Sequence, residues 1–379
     1  MIGVMLKELA CPTCAAPLIV ERDDQRFIVC KFCGATSTIE TDKSRDDSRP
    51  VLKRSDPGTA DSSEITISGT SLWRDAWKRL LRNKLAVFGL CVLIFMVIAV
   101  VIGPAMVAWL TGYTYDFIPT DRELVRAAAP SLGHLMGTDD AGRDVLARVL
   151  QGGRISLLVG IISTTVSLIV GVSYGAIAGY LGGWVDTVMM RFVDVLYSIP
   201  YILIVIVLLS IFGGPNTPGW IKWMSNSIGG EGNQALSQIF LLFFALGLVS
   251  WLTMARVVRG QILSLKNQEF VLAARATGVG TFGIIFRHLV PNALGPVIVY
   301  ATLTVPSVML TEAFLSFLGL GVQAPFASWG SLASDGIKNI AIFPWQLVFP
   351  GLTMALTLFS LNFLGDGLRD ALDPQTRKF

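Results

Sequence analysis

Four cysteines near the start of the chain carry the clearest chemical pattern. Cys11 and Cys14 stand in CPTC, and Cys30 and Cys33 in CKFCG, a C-x2-C, fifteen residues, C-x2-C arrangement. Two such pairs can close a tetrahedral shell of four thiolates, which is the geometry that structural zinc prefers. The spacer AAPLIVERDDQRFIV has two apolar runs around a polar Arg-Asp-Asp-Gln turn. It reads as a short hairpin joining two cysteine knuckles, and residues 1–41 as a small β zinc ribbon. The other readings are four unrelated cysteines, or two disulfides in an exported domain. No apolar core with a small-residue cleavage site opens the chain, so the first 84 residues are expected in the cytosol with their thiols reduced. Arg22, Arg26 and Lys31 are balanced by Glu21, Asp23 and Asp24, so no basic face stands out. A structural or protein-docking role therefore fits better than nucleic-acid binding. Cys91 lies in an apolar segment and reads as packing.

Other reactive side chains are sparse. The pattern GxxxxGK[ST] is absent, so the chain itself should not hydrolyse ATP, and no enzyme motif emerges. His134 and His288 are the two histidines. Neither has a paired carboxylate and nucleophile nearby in sequence, and each reads as an ordinary residue at a membrane boundary. Charged groups near apolar segments carry more information, because burying them in a membrane is costly. Glu312, in LTEAFLSFLGLG, falls toward the end of an apolar segment and is a candidate for lining a translocation path; a structural role is the alternative. Asp186, Arg191 and Asp194 open another segment, where Arg191 and Asp194 are spaced to pair on one helix face.

The elements that must position these residues follow from composition. Apolar residues make up 53% of the 379 and charged residues 15%, well below the quarter or so usual in soluble domains. The charge-free runs reach the roughly 20 residues that a spanning helix needs. Residues 42–70 are rich in Ser, Asp, Pro and Gly and read as a flexible linker. The segment SLWRDAWKRLLRNK is a basic amphipathic helix with Trp73 and Trp77 on one face, suited to the membrane interface. Six spans are expected, at about 85–109, 155–180, 185–212, 236–257, 292–317 and 344–366. The positive-inside rule puts both termini in the cytoplasm. Residues 137–154, GTDDAGRDVLARVLQGGR, read as an amphipathic helix before the second span, and 319–336 as an outer loop or re-entrant piece. The five arginines of 110–154 run against the charge rule. The fold class is thus an all-α polytopic membrane protein with a small N-terminal β module.

Between the fourth and fifth spans lies EFVLAARATGVGTFGIIFRHLVPNALGP, residues 269–296. Asn267 is placed to cap a helix whose first turn holds Glu269. Phe270, Ala274 and Thr277 would share a face, and Gly278 suits the left-handed position that ends a helix. A second short segment leads to Pro291, which is tolerated in the first turn of the next span. The stretch is a helix–Gly–helix elbow, and its small residues at 273, 274 and 276 would let another protein approach closely.

This elbow resembles the EAA loop of ABC-transporter permeases with the type I importer fold. Ala273, Ala274, Gly278 and Pro291 stand at the spacing of that motif. Leu272 replaces its glutamate, His288 its isoleucine and Val290 its leucine. GTDDAGRDVLARVLQGGRISLLVG, GYLGGWVDTVMMRFVDVLYSIP, FRHLVPNALGPVIVYATL, LTEAFLSFLGLGVQAPFASWG and LGDGLRDALDP are similar to the second permease subunit of dipeptide/oligopeptide importers. The resemblance covers about 71–379; the cysteine module at 1–41 lies outside its usual pattern. It implies a multi-pass protein of a bacterial or archaeal cell membrane. The implied partners are a second permease, one or two cytosolic ATPases that use the ATP, and an extracytoplasmic solute-binding protein. Within the coupling loop at 259–291, contact with the ATPase would fall to Glu269, Phe270, Ala273, Ala274, Arg275, Gly278, Arg287 and Pro291. Loss of the motif glutamate removes one family contact, and Glu269 lies close enough to compensate in part. The cargo would be di- or oligopeptides, or, in the same machine, a nickel chelate, glutathione or an oligosaccharide. A reading of another class is a zinc-ribbon scaffold or sensor without transport. An ion-coupled secondary transporter would need repeat-related broken helices, and no clear inverted repeat is present.

Overall fold

The computed structural model describes residues 72–119, 127–212, 217–229 and 234–372, together with five short strands before them. The chain divides into two compact units, Met1–Thr70 and Ser71–Phe379.

In the first unit, β1 (Glu8–Ala10) pairs antiparallel with β2 (Pro17–Ile19). A separate sheet is formed by β3 (Phe27–Val29), β4 (Thr36–Thr41) and β5 (Pro50–Arg54). The expected hairpin across the spacer is therefore not the one that forms: β2 and β3 belong to different sheets. Instead the chain between β1 and β2 carries Cys11 and Cys14, and the chain between β3 and β4 carries Cys30 and Cys33. The four cysteines themselves lie outside the described residues. Part of the stretch read as a linker supplies β5, whose Val51 and Leu52 suit a strand.

The second unit is all helical among its described residues. After α1 (Leu72–Leu80) come α2 (Lys84–Thr111) and α3 (Val145–Leu181). Next are α4 (Gly183–Ser198), α5 (Tyr201–Phe212), α6 (Gly219–Gly229) and α7 (Gln234–Leu265). The chain continues with α8 (Glu269–Ala276), α9 (Thr281–Phe317), α10 (Trp329–Lys338) and α11 (Trp345–Leu372). Five of these helices, α2, α3, α7, α9 and α11, are long and apolar enough to cross a membrane; α4 and α5, sharply bent against each other, bring the number to six if the pair counts as one broken span rather than a re-entrant loop.

Three boundaries differ from the sequence expectation. The second span begins at Val145 rather than about 155, because the amphipathic segment runs into it without a break. Asp144 caps its N-terminus, accepting from the Ala147 N–H at 2.8 Å. The third span is bent by 85° between α4 and α5. Pro200 has no N–H to continue the ladder and disfavours helical backbone at Ile199, which sits at φ −89, ψ 129. The fifth span begins at Thr281, not near 292, and passes through a π-helical turn, Ile284–Leu289. Pro291 follows directly, and the Val290 N–H reaches back to the Ile285 oxygen, one residue further than in an α-helix. Within 319–336, expected as an outer loop or re-entrant piece, α10 begins, opened by a Ser328–Ser331 capping box.

The core is built on close contact between α3 and α7. Gly171, Gly175 and Gly179 recur every four residues and so share one helix face. A Cβ at Gly175 would lie 2.3 Å from the Ala255 carbonyl oxygen, and one at Gly171 would lie 2.6 Å from the Met254 Cβ. Gly247 of α7 returns the contact against Val166. Small residues permit such approach where the hydrophobic effect does not drive helix association. Within α2, Pro104 cannot donate to the Val100 carbonyl. Arg154 of α3 does so instead, through Nε at 2.6 Å, and its Nη2 reaches Val101 at 2.6 Å. The arginine satisfies a backbone group that the proline strands.

Candidate functional site

At one end of the bundle, α7 turns into α8 and then α9. Gln268 rather than Asn267 occupies the N-cap of α8, with no side-chain capping bond. Glu269 keeps its expected place in the first turn. The helix ends at Thr277, whose hydroxyl donates to the Ala274 oxygen at 3.0 Å. Gly278 follows at φ +81, where a side chain would be strained. Lys266 Nζ donates to the Gly179 oxygen at 3.1 Å and ties the start of the elbow to the C-terminus of α3. Arg275 lies over the Tyr180 ring at 5.2 Å and ties its end to the same helix.

The face expected to meet a partner is turned the other way. Ala274 is 7% exposed and Val271 is fully buried, in one cluster with Val258, Ile262, Ile284, Ile285 and Leu289. The apolar residues at 271, 274 and 279 drive this inward face, so Ala274 is core and not contact surface. What faces outward is Glu269, Phe270, Leu272, Ala273 and Arg275, with Leu272 51% exposed. Phe282, 72% exposed, stacks parallel on Phe286 with centroids 6.5 Å apart. Arg287 and Pro291 are exposed as well. The arrangement presents exposed apolar side chains on a short helix and the turn after it.

Beside it, α4 is clamped to α7. Asp186 accepts two bonds from Arg259, at 2.6 and 2.7 Å, and Asp194 accepts one from Arg256 at 2.7 Å. The expected Arg191–Asp194 pair is thus replaced by pairs between helices. Antiparallel packing brings residues 62 and 73 positions apart together, which local spacing cannot reveal.

Glu312 is 1% exposed. Its Oε1 accepts from Ser316 at 2.8 Å and from Ser328 at 2.7 Å, and Gly330 of α10 packs close to Oε2. It joins α9 to α10 in the interior and does not line an open channel here. Beside this junction, Asp139 binds Arg143 at 2.8 Å and also Arg148. Asp140 accepts from Asn339 at 2.6 Å. His134 lies 2.9 Å from Asp144, a partner ten residues away. That carboxylate already caps α3, so the histidine supports a helix start and has no nucleophile to serve.

Residues 171–378 match the model of the binding-protein-dependent transport system inner membrane component family. The chain belongs to that family and is a permease subunit. Residues 71–130 match the N-terminal transmembrane domain of oligopeptide transport permease C. The oligopeptide transport system permease protein OppC of Haemophilus influenzae is 47% identical over 315 residues, covering 83% of this chain and 92% of that protein. The Escherichia coli protein of the same name is 47% identical over 318 residues, covering 83% and 95%. The dipeptide transport system permease protein DppC of Bacillus subtilis is 42% identical over 335 residues, covering 86% and 93%. Among solved structures, a chain of the MetNI methionine ABC transporter in an inward-facing conformation has a TM-score of 0.42 and 16% identity. It covers 59% of this chain and 96% of that one.

Proposed function

We propose that this subunit forms half of the membrane pathway of a type I ABC importer for di- or oligopeptides. The likeness to oligopeptide and dipeptide permeases over more than nine-tenths of their length carries this reading. A second permease completes the pathway, and one or two cytosolic ATPases supply the energy. A solute-binding protein delivers the cargo outside the membrane. The exposed elbow at 269–291 docks on the ATPase, chiefly through Phe270, Leu272, Phe282 and Phe286. Its closure then moves α7 and α9, between which the elbow is strung. The test is reconstitution of the whole importer with its binding protein. Peptide-loaded binding protein should stimulate ATP hydrolysis and peptide uptake. Stimulation by a nickel chelate, glutathione or an oligosaccharide and never by peptides would overturn the cargo, and no stimulation by any solute would favour a scaffold.

Both termini and the elbow lie in the cytoplasm of a bacterial or archaeal cell. The arginines of 143–154, which run against the charge rule, are each engaged inside the protein. Cysteines placed at Lys266 and Asp121 should react with an impermeant thiol reagent from opposite sides, and reaction from one side would refute this.

The first unit holds one zinc through Cys11, Cys14, Cys30 and Cys33. Support comes from the two hairpins, each of which carries one cysteine pair in its connection. Zinc analysis of the purified chain should give about one ion, by four-thiolate stoichiometry. Cys11→Ser with Cys30→Ser should abolish it, and an unchanged content would refute the site.

A further inference from the structure

The bend between α4 and α5 opens a cavity of about 370 Å³ near the middle of α7 and α9, within the size range of ligand pockets. Its polar lining is six hydroxyls, Tyr197, Tyr201, Ser250, Thr253, Ser307 and Thr311, set among aliphatic side chains, and no charged side chain lines it. We infer that this cavity takes the main chain of an extended peptide and binds it without regard to side-chain charge. The inference rests on the peptide reading above.

The break in the helix supports placing the cavity on a pathway rather than against lipid. Backbone broken at membrane depth is tolerated only where it is covered by protein or lines a water-filled space, and α4 breaks at Ile199–Pro200 on the cavity wall. Next to it the Arg256–Asp194 pair remains substantially exposed, with the guanidinium 4.0 Å over the Tyr197 ring. This pair belongs to the clamp at the α8 end and marks the edge of the cavity toward that end.

The hydroxyl chemistry suits amides. Ser250 donates to the Leu246 oxygen and Thr311 to the Ser307 oxygen, each at 2.9 Å. Their protons are used on the helix behind them, so their lone pairs face the cavity as acceptors for peptide N–H groups. The Ser307 and Tyr201 hydroxyls, without a partner among the described residues, can donate to peptide carbonyls. Every peptide offers these groups whatever its sequence. With no charge on the wall, acidic and basic side chains gain nothing from one another's absence.

The experiment uses the whole importer in proteoliposomes, in a Cys91→Ala background. The probe is a tetra-alanine peptide with one side chain replaced by a bromoacetylated amine, and adducts are mapped by mass spectrometry. In Ser307→Cys the thiol should be alkylated, dependent on ATP and binding protein, about tenfold or more faster than in Phe359→Cys on α11. A held probe reacts as if intramolecular. Thr311→Val and Ser250→Ala should each slow uptake by about two- to tenfold, the worth of one hydrogen bond. The factor should be the same for acidic, neutral and basic tetrapeptides. Equal alkylation at 307 and 359 while probe-loaded binding protein still stimulates ATP hydrolysis would overturn the site and leave the importer reading standing. Cross-linking of position 307 to the sister permease in every state would overturn it as well. Failure of any peptide to stimulate the unmodified importer would sink the peptide reading, and this inference with it.

Discussion

The two ends of the helix bundle handle their surfaces in opposite ways. At the end carrying α10, polar groups close on one another. Asp139 gathers Arg143, Arg148 and the backbone N–H groups of Ala141 and Arg143. Asp140 holds Asn339 of the segment after α10, and Gln346 of α11 donates to the Thr138 oxygen. At the end carrying α8, ion pairs clamp α4 to α7, yet the elbow beside them exposes Leu272, Phe282 and Phe286. The polar groups of the α10 end are self-contained, although Leu132, Leu135 and Ile342 stay exposed there, and the α8 end sets an exposed short helix beside its clamp. Charge alone does not tell them apart, since both are rich in arginine. Answered arginines and exposed apolar side chains occur at both; what distinguishes them is a hub at the α10 end, where one carboxylate gathers two arginines, and a short helix strung between two long ones at the α8 end.

If the α10 end is self-contained, breaking its hub should have the largest effect on stability. Asp139→Ala leaves the Arg148 guanidinium, 8% exposed, without its partner. Removing one member of a buried pair costs about 3–5 kcal/mol. The variant should lose its folded peak on size exclusion in detergent at temperatures where the parent is intact. An unchanged melting curve would mean that this end is not held by its charges.

Next in size is Ala274→Trp. Viewed as surface, it would touch only a partner. Since Ala274 packs against the core, the ring instead overfills a closed site, at about 1–3 kcal/mol. Melting temperature should fall together with transport. Lost coupling at unchanged stability would put Ala274 back on the contact face.

These two cases mark how far the sequence was legible. Five of the six expected spans, the basic helix before the first, and the left-handed Gly278 followed from local pattern, because composition and single-residue backbone preference decide them. The inward turn of α8 is also present in the spacing of Val271, Ala274 and Val279, where the apolar period, not the small size of Ala274, decides the face. The stripe Gly171, Gly175, Gly179 was visible as a four-residue repeat and predicts the α3–α7 contact. Pro200 was visible too, but hydropathy runs on through it and hides the bend. The remaining features depend on partners far along the chain. Arg154 answers a carbonyl 54 positions away, Asp186 binds an arginine 73 away, and Trp329 donates to Val149 across 180. No window on one segment contains such pairs. The enclosure of Glu312 by Ser328 belongs to the same class, since the Gly, Pro, Ser and Gln of 319–336 point to a loop or re-entrant piece and not to the contact it makes.

The smallest effect on stability, and the sharpest test of the comparison, is Leu272→Asp. The side chain is 51% exposed on the outer face of α8 and lies outside the buried cluster that holds Val271 and Ala274. Surface substitutions of this kind change stability by no more than about 0.5 kcal/mol. The helix should tolerate an acid there, since position 272 lies in the N-terminal half of α8, where negative charge is favoured. Melting temperature should therefore match that of the parent. The contact with an ATPase should not survive as well. A charge placed in an apolar interface must be stripped of water without a partner, and each 1.4 kcal/mol lost weakens binding about tenfold. Copurification of the ATPases and stimulation by loaded binding protein should both fall, while the ATPases alone keep their basal rate. Set beside Asp139→Ala, the two variants exchange phenotypes: one unfolds the subunit, the other leaves it folded and uncoupled. If Leu272→Asp transports at the parent rate, the exposed apolar surface at the α8 end is not a docking face, and the difference between the two ends is one of structure only.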